Sequence, residues 1–327
     1  MEQHYPRPHC GPIGPQSGQA APPIRLAALD LDGTLLDSRG RITPRTAAAI
    51  QAAVRQGAVI VPATGRPAAT VPECVLALPG VRYAITANGA AVLDLGADPA
   101  AAVRLCRPPE GCGPAPGQAD PFAAHVLARS PLPPERADAV LACIRPFDCE
   151  INLFAAGRNV LTPAGLQQEY RRVGPALRQW TDQTHIVAPD LAAYAAARPG
   201  QVEKFCLFFT SPAELERARA ALVQLAGIEL VQGAPDNLEI TAPGVDKGRA
   251  LLELARRLGV PPAATLAAGD SENDLQMLRA AGVAVVMRNG MAHVQAEADY
   301  VTRADCDHDG VAELLERFVL GGAPFAP

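Results

Sequence analysis

Four short apolar runs, each closed by a polar or glycine-containing cluster, constrain this chain more than any other feature. "IRLAALDLDGT" runs into Asp30 and Asp32, "AVIVPATGRP" into Thr64-Gly65-Arg66, "RYAITANGAAVLD" contains Asn88-Gly89, and "AATLAAGD" ends on Asp270, just before Asn273 and Asp274. Runs this short, with no polar alternation, suit strands covered on both faces. Helix-like segments lie between them. "TPRTAAAIQAAVRQG" has Thr43 as N-cap, Pro44 at the first helical position and Gly57 as its stop. Residues 67–78 read as helical, and "RYAITANGAAVLD" as extended. Later, "DKGRALLELARRLG", "SENDLQMLRAAG" and "DGVAELLERFVL" read as helices and "VAVVM" as a buried strand. The order predicts an α/β fold, a doubly wound parallel sheet with helices on both faces. In such a sheet ligands sit beyond the carboxyl ends of the strands, so the polar clusters converge if the strands are neighbours.

Between the two halves the texture changes. "PERADAVLACIR" and "SPAELERARAALVQLAG" read as helices, while "EINLFAAGRNVLT", "KFCLFFT" and "IELVQG" read as strands. Helices mixed with hairpin-like strands predict an α+β domain inserted into the sheet-forming core. The 327 residues also favour two domains. The expected division is a disordered tail at 1–23, a first core part at 24–92, the inserted domain at 93–238 and a second core part at 239–327. "EGCGPAPGQADP" reads as a loop, and the aromatic residues of the inserted strands as core packing.

Composition narrows the function classes. The net charge of −5, with acids and bases interspersed, offers no basic surface for nucleic acid. No apolar run approaches the ~20 residues of a membrane span, and the N-terminus lacks the apolar middle of a secretory signal. Eight cysteines without a C-x-x-C pair read as reduced thiols in a cytoplasm.

The clusters themselves suggest phosphoryl transfer. A carboxylate at the end of a strand, Asp30, can attack an electrophile to give an aspartyl-phosphate. Asp32 can protonate the leaving oxygen and then take a proton from water. Asp30, Asp32 and Asp270 together need a cation, and magnesium prefers hard oxygen ligands. Thr64 and the N–H of Gly65 can cradle phosphate, Lys247 supplies positive charge, and Asn273 donates near a helix N-terminus. Asn88 reads either as a substrate contact or as a turn former. "CDHDG" at 306–310 reads as a turn in which Asp309 caps the last helix, not as a metal site.

"DLDGTLL", "ATGRP", "GVDKG" and "GDSENDLQML" occur in the order of the four motifs of the haloacid dehalogenase (HAD) superfamily, and the chain most resembles its Cof-type phosphatases, which carry a C2 cap. The resemblance implies a Rossmann-like core with Asp30 as nucleophile and Asp32 as acid/base, its backbone carbonyl on the metal. It further implies Asp270 as the metal-binding acid, with Thr64, Gly65, Lys247, Asn273 and the backbone N–H of Leu31 on the phosphate. Asp274 would orient Lys247 or a water on the metal, and Arg66 and Asn88 would face the substrate. Arg288-Asn289-Gly290 stands where the family often has Gly-Asn-Ala. The implied function is a magnesium-dependent phosphatase of a small phosphorylated metabolite, first a sugar phosphate, second pyridoxal phosphate or flavin mononucleotide. A phosphotransferase or mutase, or a non-enzymatic sensor, is the alternative.

Overall fold

The computed structural model describes residues 22–106, 120–174 and 177–321. The expected tail, up to residue 21, and most of the Pro/Gly-rich 110–121 segment lie outside them. In chain order the strands are β1 (Leu26–Leu29), β2 (Val59–Pro62), β3 (Tyr83–Thr86), β4 (Ala91–Asp94) and β5 (Val126–Arg129). Then come β6 (Cys149–Ala155), β7 (Arg158–Leu161), β8 (His185–Val187), β9 (Val202–Phe209), β10 (Glu229–Val231) and β11 (Asn237–Thr241). The chain closes with β12 (Thr265–Gly269), β13 (Val283–Val286) and β14 (Tyr300–Val301).

A five-stranded sheet of order β14-β13-β12-β1-β2 has every neighbouring pair parallel. Every residue of β1 and β12 is buried, as a sheet covered on both faces requires. One face packs Ile50 and Ala53 of the helix Pro44–Arg55 with Leu314 and Leu315 of the helix Gly310–Phe318. The other packs Leu251 and Leu254 of the helix Lys247–Arg257 with Met277 and Leu278 of the helix Leu275–Ala280. This is the doubly wound arrangement. Thr43 caps its helix as expected, accepting from the Thr46 N–H at 3.2 Å.

Three local expectations change. "RYAITANGAAVLD" folds back on itself, β3 pairing antiparallel with β4, because the Ala87-Asn88-Gly89 turn reverses the chain. β5 completes this three-stranded sheet, which meets the parallel one at the Ala63–Ile85 bridge. Residues 67–78 form a 3-10 turn (Ala68–Thr70) and a short helix (Glu73–Leu76) rather than one helix, since Pro72 forces Val71 out of the helical region. Asp309 stands at the N-cap of the last helix with φ 67°, but its carboxylate accepts from the Thr43 hydroxyl instead of capping.

The inserted part is an α+β unit. Its six-stranded sheet has the order β10-β11-β9-β6-β7-β8 and is antiparallel except between β7 and β8. One face buries Leu153, Phe205, Leu207 and Leu238 against Val140, Leu215 and Leu222 of flanking helices. Successive strand residues point to opposite faces, and the other face carries Glu150, Asn152, Lys204 and Glu239, all buried. The described cysteines are free thiols, and among the described residues no helix is long and apolar enough to cross a membrane.

Candidate active site

The last ladder bond of β1, from the Asp30 N–H to the Ala268 carbonyl at 2.9 Å, carries Asp30 just past the strand end beside β12. The chain then turns tightly, with Leu35 N–H on the Asp30 carbonyl and Leu36 N–H on the Leu31 carbonyl. Gly33 makes the turn at φ +83°, and a β-carbon there would lie 2.6 Å from an Asp270 oxygen. Conformation and close approach both require glycine. Thr34 donates its hydroxyl to the Asp270 carboxylate at 3.2 Å.

Lys247 enters from the far side as the first residue of its helix, capped by Asp246. Its ammonium is fully buried and donates to Asp30 Oδ1 at 2.6 Å and Asp274 Oδ1 at 2.7 Å. Asp274 uses its other oxygen to accept the N–H groups of Asp270 and Ser271 at 3.0 and 3.1 Å, fixing the turn after β12. Asn273 accepts the Ser271 hydroxyl on Oδ1 at 2.9 Å, which leaves its amide N–H groups to donate outward.

Thr64-Gly65-Arg66 extends β2. The Thr64 N–H bonds the Ile85 carbonyl, the Ala87 N–H the Arg66 carbonyl and the Asn88 N–H the Thr64 carbonyl. The Arg66 N–H donates to Thr64 Oγ1 at 3.1 Å. The Arg66 guanidinium holds the Asp32 carboxylate with two bonds of 2.8 and 2.6 Å, and this carboxylate side chain is 58% exposed.

Burial, followed by the charge of Asp274, pushes the Asp30 carboxyl well above its ordinary value although Lys247 opposes them. Asp270 is pushed up to about 6, first by burial and then by Asp274. Burial alone would lower the Lys247 ammonium, but Asp274 and Asp30 outweigh it and hold it above its ordinary value. Crowded acids around one lysine form a site strained toward more positive charge. Oxygens of Asp30, Asp270 and Asp274 all lie within 4.8 Å of one another. These are hard donors of the kind magnesium takes. Asp274 is largely occupied by Lys247 and backbone amides, so the second oxygen of Asp30 and the Asp270 carboxylate are the donors that fit a cation. The Asp32 carboxylate is engaged by Arg66 and is not among these clustered oxygens.

Sequence reasoning assigned no role to three residues here, Lys204, Glu239 and Asn289. Lys204 of β9 donates to the Gly65 carbonyl at 2.8 Å and to Glu239 at 2.7 Å, and Glu239 accepts the Asn88 amide at 2.5 Å. Asn289 donates to the Gly33 carbonyl at 2.8 Å and accepts the Cys306 N–H, so it braces the Asp30–Thr34 turn. A charged residue inside an apolar strand, as in "VEKFCLFF", was the available signal for Lys204.

The family described as haloacid dehalogenase-like hydrolase matches residues 27–101 and 120–315. Phosphatase YwpJ of Bacillus subtilis is 26% identical over 314 residues, covering 90% of this chain and 100% of its own. An HMP-PP phosphatase of Serratia proteamaculans is 27% identical over 299 residues, covering 90% and 95%. Among solved structures, a HAD subclass IIB sugar phosphatase superposes with a TM-score of 0.68 at 23% identity, covering 90% of this chain and 98% of its own.

Proposed function

The chain belongs to the haloacid dehalogenase-like hydrolase family, a phosphomonoester-hydrolysing one among its named relatives, and from that premise we propose that it is a magnesium-dependent phosphatase of a small sugar phosphate. In this reading residues 24–92 and 239–327 carry the chemistry and 93–238 select the substrate. The observation that carries the proposal is the set of Asp30, Asp270 and Asp274 gathered around buried Lys247 at the carboxyl end of a parallel sheet.

Asp30 attacks phosphorus beside Lys247, whose ammonium lowers the repulsion between carboxylate and phosphate. Thr64, the N–H groups of Leu31 and Gly65, and Asn273 hold the phosphoryl oxygens. Asp32, once released from Arg66 and protonated, gives that proton to the leaving oxygen, then removes one from the water that hydrolyses the acyl phosphate. Before substrate enters, Arg66 holds that carboxylate. Magnesium, when bound by Asp30 and Asp270, would neutralise charge on the transferring group. The polar face of the inserted sheet carries one carboxylate and two amides, Glu150, Asn152 and Asn159, bonded in a row, a donor and acceptor set that suits a hydroxyl-rich leaving group, and the sugar phosphatase of like fold supports this choice.

A panel of phosphomonoesters assayed with and without magnesium tests the reading. The protein is expected to hydrolyse sugar phosphates only with the metal, and Asp30→Asn to lose at least ~1000-fold in kcat. Turnover of no phosphomonoester, or an active Asp30→Asn, refutes it.

A further inference from the structure

Lys204 sits on β9 of the inserted sheet, 1% exposed, with its ammonium 5.1 Å from the centre of the Phe154 ring. An ammonium is buried at this depth only when fully partnered. One partner is Glu239, whose carboxyl burial pushes up but which Lys204 and Asn88 hold below its ordinary value. The other is the Gly65 carbonyl in the loop assigned above to phosphate. The bonds close a ring: Gly65 to Lys204, Lys204 to Glu239, Glu239 to Asn88, and the Asn88 N–H back to the Thr64 carbonyl. Asn88 joins this ring from left-handed backbone, φ 57°, an uncommon conformation that points to a held geometry.

The peptide between Gly65 and Arg66 is what the ring pins. It is trans and planar, so its carbonyl and N–H point in opposite directions. The carbonyl is on Lys204, and the N–H is on Thr64 Oγ1 at 3.1 Å. A hydroxyl that accepts this bond keeps its one proton to donate elsewhere. Rotating the peptide plane would free the Thr64 hydroxyl and swing Arg66, which orients Asp32.

We propose that Lys204 is a positioning residue: from the inserted domain it locks the Gly65–Arg66 peptide, and so makes seating of that domain a condition for a competent Thr64–Arg66 loop. This rests on the phosphatase reading only in assigning that loop to phosphate.

The test compares wild type with Lys204→Met/Glu239→Gln, which removes both charges and leaves no lone buried ion. It reads kcat and KM for p-nitrophenyl phosphate with magnesium, the Kd of inorganic phosphate by calorimetry, and the urea midpoint. The double variant is expected to lose roughly 10–100-fold in kcat and to weaken inorganic phosphate by a similar factor. Lys204→Arg should recover part of both. Leu215→Ala, in the core on the opposite face of the inserted sheet, should move the urea midpoint and neither of the others. If the double variant does not fold, Lys204→Gln/Glu239→Gln carries the same comparison. Values of kcat and phosphate Kd within twofold of wild type in a folded double variant overturn the proposal. A wild type that binds inorganic phosphate but turns over no phosphomonoester refutes the phosphatase reading and leaves Lys204 judged on phosphate affinity. A wild type that does neither overturns both.

Discussion

Lys247 shows how much of the site depends on a single charge. It is the partner of two buried carboxylates, Asp30 and Asp274, and burial has already pushed Asp30 toward its neutral form. Lys247→Met keeps the volume of the stem but leaves both acids without a counter-ion. Removing one member of a buried ion pair costs about 3–5 kcal/mol. In metal-free protein the urea denaturation midpoint is therefore expected to drop by that much stability, and magnesium should restore part of it by binding only the folded state. Losing a preorganised cation from a transition state costs on the order of 100–1000-fold in kcat. A Lys247→Met protein with wild-type metal-free stability would show that the two carboxylates do not depend on it. At this scale much of the site was legible. Asp30, Asp32, Asp270 and Asp274 lie in short contiguous motifs just past apolar runs and Lys247 opens a helix, and the neighbouring parallel strands bring Asp30, Asp270, Asp274 and Lys247 together. What spacing could not give was direction: Asp32 turns outward because Arg66, 34 positions later, captures it.

The elements that deliver these residues meet at small clearances. The helix Lys247–Arg257 crosses the helix Leu275–Ala280 at Gly248, where a β-carbon would lie 2.3 Å from the Gln276 carbonyl oxygen. That clearance seats Lys247 between the two strand-end turns. Gly248→Ala improves helix propensity yet forces backbone apart, and overpacking of this kind costs about 1–3 kcal/mol. The variant is expected to be less stable by that amount in urea and to lose kcat at unchanged protein concentration, because the displaced helix withdraws Lys247. Equal stability would mean that the two helices separate freely. Elements were less legible than residues. Capping fixed the helix after Thr43 correctly, since cap chemistry is local. Asp309 was read by the same rule and failed, because a residue 266 positions away competes for its carboxylate. The β3–β4 hairpin was missed since an apolar strand reads alike whether its neighbour is parallel or antiparallel. The pairing of Lys204 with Gly65 spans 139 positions and has no local signature beyond a charge in a strand.

The whole molecule is tied together at two consecutive residues of β9. Lys204 joins the inserted sheet to the Thr64–Arg66 loop, and Glu203 joins it to the three-stranded sheet through Arg129 of β5 at 3.1 Å. Arg129 also pairs with Asp120 at 2.8 Å, and the Gly157 N–H donates to Glu203 at 3.2 Å. Burial pushes the Glu203 carboxyl up to about 7 against these partners, from an ordinary value of 4.5. The folded protein thus holds this proton over a range where the unfolded chain has released it. The contribution is complete below about pH 4.5 and is lost as pH rises through about 7. A shift of this size corresponds to on the order of 3 kcal/mol. Glu150, also pushed up to about 7 by burial, acts in the same direction, while His185, pushed down to about 4 by burial, acts oppositely between its two values. Only a difference between proteins isolates Glu203. Glu203→Gln keeps the shape and cannot titrate, so its stability relative to wild type is expected to rise by on the order of 3 kcal/mol from pH 4.5 to pH 7.5 and to stay level above. Urea denaturation at half-unit pH intervals measures it. Parallel profiles would mean that Glu203 enters the fold already ionised, with Arg129 and the Gly157 N–H compensating its burial in full.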